Sequence, residues 1–289
     1  MENKIIIDKE KCMKCGLCIS DCITKCLKFD DEGYPFVEDE KRCLSCQHCF
    51  AICPAGAITF DGNTPEASES PKFDDVLSII KSRRSIRQFK NEEIDDNTFK
   101  KLKDMLPYIP TGCNNHKLHF SIVRKKEVMV ELKERVNKKI LSLMNNKIVS
   151  PFIKHFEIYK KAMEEGEDII FRNAPHMIVV SSPIEAPCAP VDPVIALSYI
   201  ELYANSLGLG TCWCGYGEIC MKSFPELSEI LDIPKGYIPI YTMLLGVADI
   251  KYQRIPKPKE YKISEINEIK PLNSCIFCKM KRFFLNLLR

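Results

Sequence analysis

The sequence predicts an α+β fold, a larger domain preceded by a small cysteine-rich module built from two repeats. Three observations predict it. Eight of the 16 cysteines fall in two equal runs near the N-terminus. A polar stretch without apolar periodicity, 61–72, then interrupts the chain. Beyond it, segments with helical spacing mix with short apolar runs in no regular alternation.

In the module, Ile5-Ile6-Ile7-Asp8 precedes the first cysteine run and Pro35-Phe36-Val37-Glu38 the second. Each half therefore reads as a strand, a loop and a short helix, over residues 1–62. Residues 63–72 read as a linker, rich in Ser, Pro and Glu. Phe73 to Arg83 carries apolar side chains at 73, 76, 77, 79 and 80, the spacing of an amphipathic helix. Asn97 to Leu106 and Glu127 to Met144 read as further helices, and 118–123 and 177–181 as buried strands. Asp192 to Leu207 is a strongly apolar helix, with Asp192 as its cap, Pro193 at its first position and a stop at Gly208. A final core strand covers 238–247. The larger domain is expected over 73–262, with an extension over 263–289.

Apolar residues make up 45% and charged residues 28%, ordinary values for a globular protein. No run approaches 18 apolar residues, so no membrane span is expected. No long apolar run precedes the first cysteines, which points to the cytoplasm. There thiols stay reduced, so the cysteines read as metal ligands or buried apolar groups rather than disulfides. Charge is uneven: residues 1–62 hold 8 basic and 11 acidic side chains, and residues 251–289 hold 10 basic and 3 acidic. An acidic module and a basic tail would steer charged partners, or simply be a solvated surface.

Cys12, Cys15, Cys18 and Cys22 have the spacing C-x2-C-x2-C-x3-C, and Cys43, Cys46, Cys49 and Cys53 repeat it 31 residues later. Three thiolates two residues apart wrap one face of a 4Fe–4S cubane, while the fourth points away to the other cluster. Cys12, Cys15, Cys18 and Cys53 are thus expected to hold one cluster, and Cys43, Cys46, Cys49 and Cys22 the second. Zinc sites do not need two such quartets. The module is similar to bacterial ferredoxins, which follow the fourth cysteine with proline; Cys53-Pro54 obeys this, whereas Cys22 is followed by Ile23. Cys26 maps onto Ala57 in the repeat and reads as a small buried residue.

Over most of 73–262 the chain resembles the nitroreductase family of FMN enzymes, on four segments in the family's order. In Arg83-Arg84-Ser85-Ile86-Arg87, the resemblance implies that arginine and serine hold the FMN phosphate and that Arg87 reaches the pyrimidine edge of the flavin. Guanidinium suits both tasks, pairing with phosphate and stabilising the anionic reduced ring. Pro110-Thr111-Gly112-Cys113-Asn114 is similar to a family loop that reaches FMN across a dimer interface. The following His116, Lys117 and Leu118 depart from the family's Gln-Pro-Trp. Asp192 to Thr211 matches the family's long core helix and turn, and Gly215 and Tyr216 after it are implied to present N–H groups near the reactive nitrogen. Cys212 and Cys214, between them, read as alternate positions on a strand. In Ile255-Pro256-Lys257-Pro258-Lys259 the lysines resemble a pair that closes over the phosphate, with Arg254 a competing candidate.

The resemblance implies a homodimeric FMN oxidoreductase fed by reduced ferredoxin or NAD(P)H. In this reading the flavin, not a side chain, carries the chemistry, with electrons passing to a small organic acceptor such as a nitroaromatic, a quinone or an activated double bond. The alternative is an electron-transfer module whose acceptor is a partner redox protein. No dinucleotide-binding G-x-G-x-x-G follows a strand, and no nucleic-acid motif is present. At the C-terminus, Cys275-Ile276-Phe277-Cys278 has ligand spacing, and the pair reads as unligated, as a reversible disulfide, or as half of a metal site completed across a dimer or by Cys188 or Cys220. The basic, apolar residues after it read as a helix that docks on its own domain or touches a membrane or partner.

Overall fold

The computed structural model describes residues 5–62, 73–145, 156–253, 255 and 261–269. The linker 63–72, Lys257, Lys259, Arg254, Cys275, Cys278 and the apolar tail lie outside the described residues. Residues Met1–Gln253 form one unit and Arg254–Arg289 another.

In the module, β1 (Ile5–Ile7) pairs antiparallel with β4 (Ile58–Phe60), and β2 (Leu27–Phe29) with β3 (Pro35–Val37). Helices α1 (Leu17–Ser20) and α2 (His48–Ile52) follow the two cysteine loops. Both ladders join one half of the repeat to the other, which carries the fourth cysteine of each half across to its counterpart. The backbone repeats as well. Lys14 and Ser45, Gly16 and Gln47, and Lys25 and Gly56 all have positive φ, each pair 31 residues apart. Leu27, Ile58, Cys26 and Cys18 form the small core between the ladders.

The larger domain is built on a four-stranded antiparallel sheet in the order β5 (His119–Val123), β6 (His176–Pro183), β8 (Tyr237–Val247), β7 (Leu209–Trp213). All eight positions of β6 are buried, with His176, Ser181 and Ser182 flanking the apolar run Met177–Val180, so the strand shows no alternation. One face carries Val179 and Leu244 against α5 (Lys126–Asn145), α6 (Lys160–Glu164), α8 (Gly215–Ser223) and α9 (Glu226–Ile230). The other carries Ile178, Val180, Met243 and Leu245 against α4 (Asp96–Asp104) and α7 (Asp192–Ser206). Helix α7 buries Ala196, Leu197, Ile200 and Ala204, a stripe that seats it flat on the sheet. Helix α3 (Phe73–Ser82) leads into the arginine segment.

The sequence expectation for Asp192 needs correction. Val191 takes the cap position, and the Asp192 carboxylate makes no capping bond. A turn from Cys188, whose carbonyl accepts from Val191 N and Asp192 N, already leads the chain into the helix. The carboxylate is therefore free for the 110–116 loop. Gly208 does end the helix, with φ +78° in the left-handed region.

Candidate cofactor sites

The eight module cysteines divide between two cavities. Cys12, Cys15, Cys18 and Cys53 line one. Cys22, Cys43, Cys46 and Cys49 line another. Cys22 and Cys53 have crossed over, as the antiparallel pairing of the halves requires. Among the described residues no three His, Cys, Asp or Glu side chains are arranged to hold one metal ion. Four thiols around a cavity, rather than converging on a point, suit a cubane and not a single zinc. Two backbone amides already point at sulfur, Ser45 N to Cys43 Sγ at 3.4 Å and Ala57 N to Cys53 Sγ at 3.3 Å. Such bonds stabilise thiolate and tune cluster potential. Burial pushes the Cys49 thiol up to about 11 and raises that of Cys18.

Cys26 is buried, at 2% exposure, and lines the second cavity with its Sγ 3.5 Å from Cys22 Sγ. Burial and the Cys22 contact push its thiol up to about 12. Burial also opposes ionisation of Cys22, but bonds from Thr24 and Cys26 bring that thiol down to about 7.

The segment Arg83–Arg87 lies along the outer strand of the large sheet. Ile86 N donates to Thr211 O at 2.8 Å, Ser85 bridges Thr211 in parallel, and Phe89 bridges Ala248. Gly210 permits this approach, because a Cβ there would stand 2.8 Å from Ile86 Cγ1 and 2.9 Å from its Cγ2. Arg83 Nη1 donates to Glu201 Oε1 at 2.8 Å, fixing the segment to α7. Arg84 Nη1 donates to the carbonyls of Lys81 and Arg83, while its Nε is buried without a partner among the described residues. Burial raises the Cys212 thiol, and the charges of Arg87 and Arg172 act against that rise.

Cys212 lies on β7, and Cys214 follows it as the cap of α8, its Sγ accepting from Gly217 N at 3.3 Å. Both are buried; burial pushes Cys214 up to about 11, so neither is a poised nucleophile. Gly215 and Tyr216 open α8, where first-turn N–H groups lack intrahelical acceptors and carry the positive end of the helix dipole. The Tyr216 ring lies 5.1 Å from Phe156, and its hydroxyl donates to Tyr159 Oη at 3.4 Å. Glu201 and Arg172 were not among the residues singled out from sequence. Neither lies in a motif, and only the tertiary fold brings them to this edge.

The 110–116 loop is held from behind. Gly112 N donates to both Asp192 oxygens, at 3.0 and 3.1 Å, and Asn115 Nδ2 to Asp192 Oδ2 at 3.3 Å. A Cβ on Gly112 would sit 2.5 Å from Cys188 Sγ, so glycine sets this close approach. Asn114 Nδ2 donates to Leu44 O at 3.2 Å and Ser45 O at 3.1 Å, and His116 Nε2 lies 2.9 Å from Asn114 Oδ1. The structure thus gathers the expected flavin residues in two groups. Arg83–Arg87 stands beside β7, and Gly215 and Tyr216 begin the helix that follows that strand. Pro110, Thr111, Gly112 and Asn114 belong to the loop that meets the cysteine module.

The first group fits FMN. An unpartnered buried guanidinium nitrogen, a neighbouring serine, and a helix start suit a phosphate monoester and an electron-rich ring.

A profile of the nitroreductase family matches residues 80–247, and one of a 4Fe-4S dicluster domain matches residues 11–57. The fold is similar to a nitroreductase with bound FMN from Desulfitobacterium hafniense, with a TM-score of 0.55 and 29% identity over 68% of this chain and 100% of that one. A candidate NADH dehydrogenase/NAD(P)H nitroreductase of Methanothermobacter thermautotrophicus is 26% identical over 60% of this chain and 76% of its own length. An NADPH-dependent oxidoreductase of Staphylococcus saprophyticus is 22% identical over 64% of this chain and 69% of its own length.

Proposed function

The chain belongs to the nitroreductase family, and from that premise we propose that it is an iron–sulfur flavoprotein that moves electrons inward through its N-terminal module to FMN and on to a small organic acceptor. It is an FMN-dependent oxidoreductase carrying two 4Fe–4S clusters. When bound, the clusters supply one-electron transfer at low potential, and the flavin supplies the conversion of two single electrons into a two-electron reduction.

The observation that supports this route is that both cysteine chambers and the flavin domain fall in one unit, Met1–Gln253, with Asn114 hydrogen-bonded to the Leu44 and Ser45 carbonyls of the module. The chain's own residues would divide the work. Cys12, Cys15, Cys18 and Cys53 hold one cluster, and Cys22, Cys43, Cys46 and Cys49 the other. Arg84 Nε and Ser85 would grip the phosphate, with Glu201 keeping Arg83 in register beside them. Arg87 sets a positive charge near Cys212 on the strand edge, where it would favour the anionic reduced ring. The N–H groups of Gly215 and Tyr216 would donate toward the ring nitrogen that takes and gives the hydride. Pro110, Thr111, Gly112 and Asn114 would reach FMN across the dimer interface, and Lys257 and Lys259 would cover the phosphate.

The acceptor class is a nitroaromatic, a quinone or an activated double bond, and the donor is reduced ferredoxin or NAD(P)H. No helix among the described residues is long and apolar enough to cross a membrane. The test compares acceptor turnover driven by reduced ferredoxin in the wild type and in Cys46→Ser. Loss of ferredoxin-driven turnover with FMN content intact supports the route. Undiminished turnover in a variant depleted of iron would contradict it.

A further inference from the structure

We propose that Asn114 is a positioning residue that clasps the Cys43–Cys46 loop. The cluster held by Cys22, Cys43, Cys46 and Cys49 is then the one from which electrons pass into the flavin domain. This rests on the cluster-to-flavin route proposed above.

The clasp is specific. Asn114 Nδ2 donates to two successive carbonyls, Leu44 and Ser45, both lying between two cluster ligands. Its Oδ1 is engaged by His116 Nε2 at 2.9 Å, which fixes which way the amide faces. Ser45 N in turn donates to Cys43 Sγ at 3.4 Å. A short chain of bonds and hydrogen bonds therefore runs from a ligand sulfur, through Ser45, to the Asn114 side chain. Behind Asn114, Gly112 and Asn115 are pinned to the buried Asp192 of α7, the helix whose Glu201 holds Arg83. The same helix thus supports both the clasp and the arginine segment.

The loop is also held in a conformation it would not choose. Cys113, Asn114 and His116 have φ of 53°, 51° and 47°, and none is glycine. Asparagine and histidine enter the left-handed region more readily than other non-glycine residues, so Cys113 is the strained member of the three. The left-handed backbone turns the Asn114 amide toward the module. The opposite chamber has a different character. Cys15, one of its ligands, is the exposed one among the eight. Both chambers have an exposed apolar lip, Met13 at 65% here and Ile23 at 80% on the clasped side, so the exposed ligand is what distinguishes them. A one-electron carrier can reach that side. Each transfer from the clasped cluster oxidises it by one electron and reduces the flavin by one. Two such transfers, refilled from the carrier through the exposed cluster and with protons from solvent, complete the two-electron reduction.

The experiment uses full-length holoprotein with reduced ferredoxin as the probe, and compares wild type, Asn114→Ala, Asn114→Asp and His116→Ala. It reads amide hydrogen exchange over residues 43–47, iron and FMN content, and the rate at which reduced clusters bleach the flavin. With cofactor content intact, Asn114→Ala should speed exchange at 43–47 and slow the bleaching, each by on the order of tenfold, since two hydrogen bonds of modest net strength are lost. Asn114→Asp, which turns two donors into a carboxylate facing carbonyls, should do more, and His116→Ala less. Unchanged exchange at 43–47 in both Asn114 variants overturns the clasp. Faster exchange with an unchanged bleaching rate overturns the assignment of the delivering cluster. Wild-type clusters that never reduce the flavin would sink the route itself and this assignment with it, while the exchange data would still decide the clasp.

Discussion

Replacing Gly210 with alanine tests the flavin-side geometry most sharply. The added Cβ would stand 2.8, 2.9 and 3.0 Å from Cγ1, Cγ2 and Cβ of Ile86. Carbon atoms pack at about 3.5 Å or more, so the arginine segment must retreat by roughly 0.7 Å. The Ile86 N to Thr211 O bond, 2.8 Å now, holds that segment on the strand and would lengthen with it. Overpacking of this kind costs about 1–3 kcal/mol. If the segment yields, that cost appears in the binding of FMN, whose Kd should rise by roughly 5- to 150-fold. Titration of apoprotein with FMN, followed by quenching of flavin fluorescence, measures the change. Ile86→Ala in the same chain removes two of the three clashing atoms and should restore most of the affinity. A Gly210→Ala protein of lowered stability but unchanged FMN affinity, or one that Ile86→Ala does not rescue, would refute the placement of Arg83–Arg87 at the flavin.

Other outcomes follow from single contacts. Glu201→Ala removes the acidic partner of Arg83 and should lower stability by about 1–3 kcal/mol, read by urea unfolding, because it leaves a half-buried guanidinium unpaired. His176 is fully buried, its Nε2 accepts from Ile94 N at 2.9 Å, and burial, then the charge of Arg124, lowers its pKa from 6.5 to about 4. The folded state therefore keeps the ring neutral where the unfolded chain binds a proton. Stability should be full above pH 6.5 and fall as pH drops toward 4, by up to about 3 kcal/mol. His176→Gln, which can offer the same acceptor without titrating, should flatten that slope in pH-dependent melting. Cys26→Ala should retain the iron content of the wild type, since its counterpart in the repeat is Ala57. Loss of one cluster's iron would instead make Cys26 a ligand.

What the sequence could say depended on whether the signal was local. The cysteine spacing predicts a crossed partition of ligands because a fixed covalent interval dictates which thiols share a loop. The structure places Cys22 and Cys53 in opposite chambers accordingly. The α+β mixture, the flat apolar helix Asp192–Ser206 and the stop at Gly208 were likewise legible from periodicity and a single left-handed glycine. Strand β6 was read as starting near Met177 and proved longer, since full burial on both faces erases the alternation that marks strand ends. Asp192 was misread because an acid before a helical run usually caps it, whereas here its carboxylate serves a loop 80 residues earlier. The same distance hid Glu201, 118 residues from Arg83, and the Asn114 bonds, 69 and 70 residues from their acceptors. No periodicity encodes such pairs.

The central claim is that electrons pass from the clusters to the flavin. The most direct measurement mixes anaerobic holoprotein with reduced ferredoxin in a stopped-flow spectrometer, with NADH and NADPH in parallel, while cluster and flavin absorbance are followed separately. The account predicts that cluster bleaching precedes flavin bleaching with ferredoxin, and that flavin reduction disappears when the clusters are removed. Rapid flavin bleaching by pyridine nucleotide with the clusters still oxidised, or reduced clusters beside a flavin that stays oxidised, would contradict it.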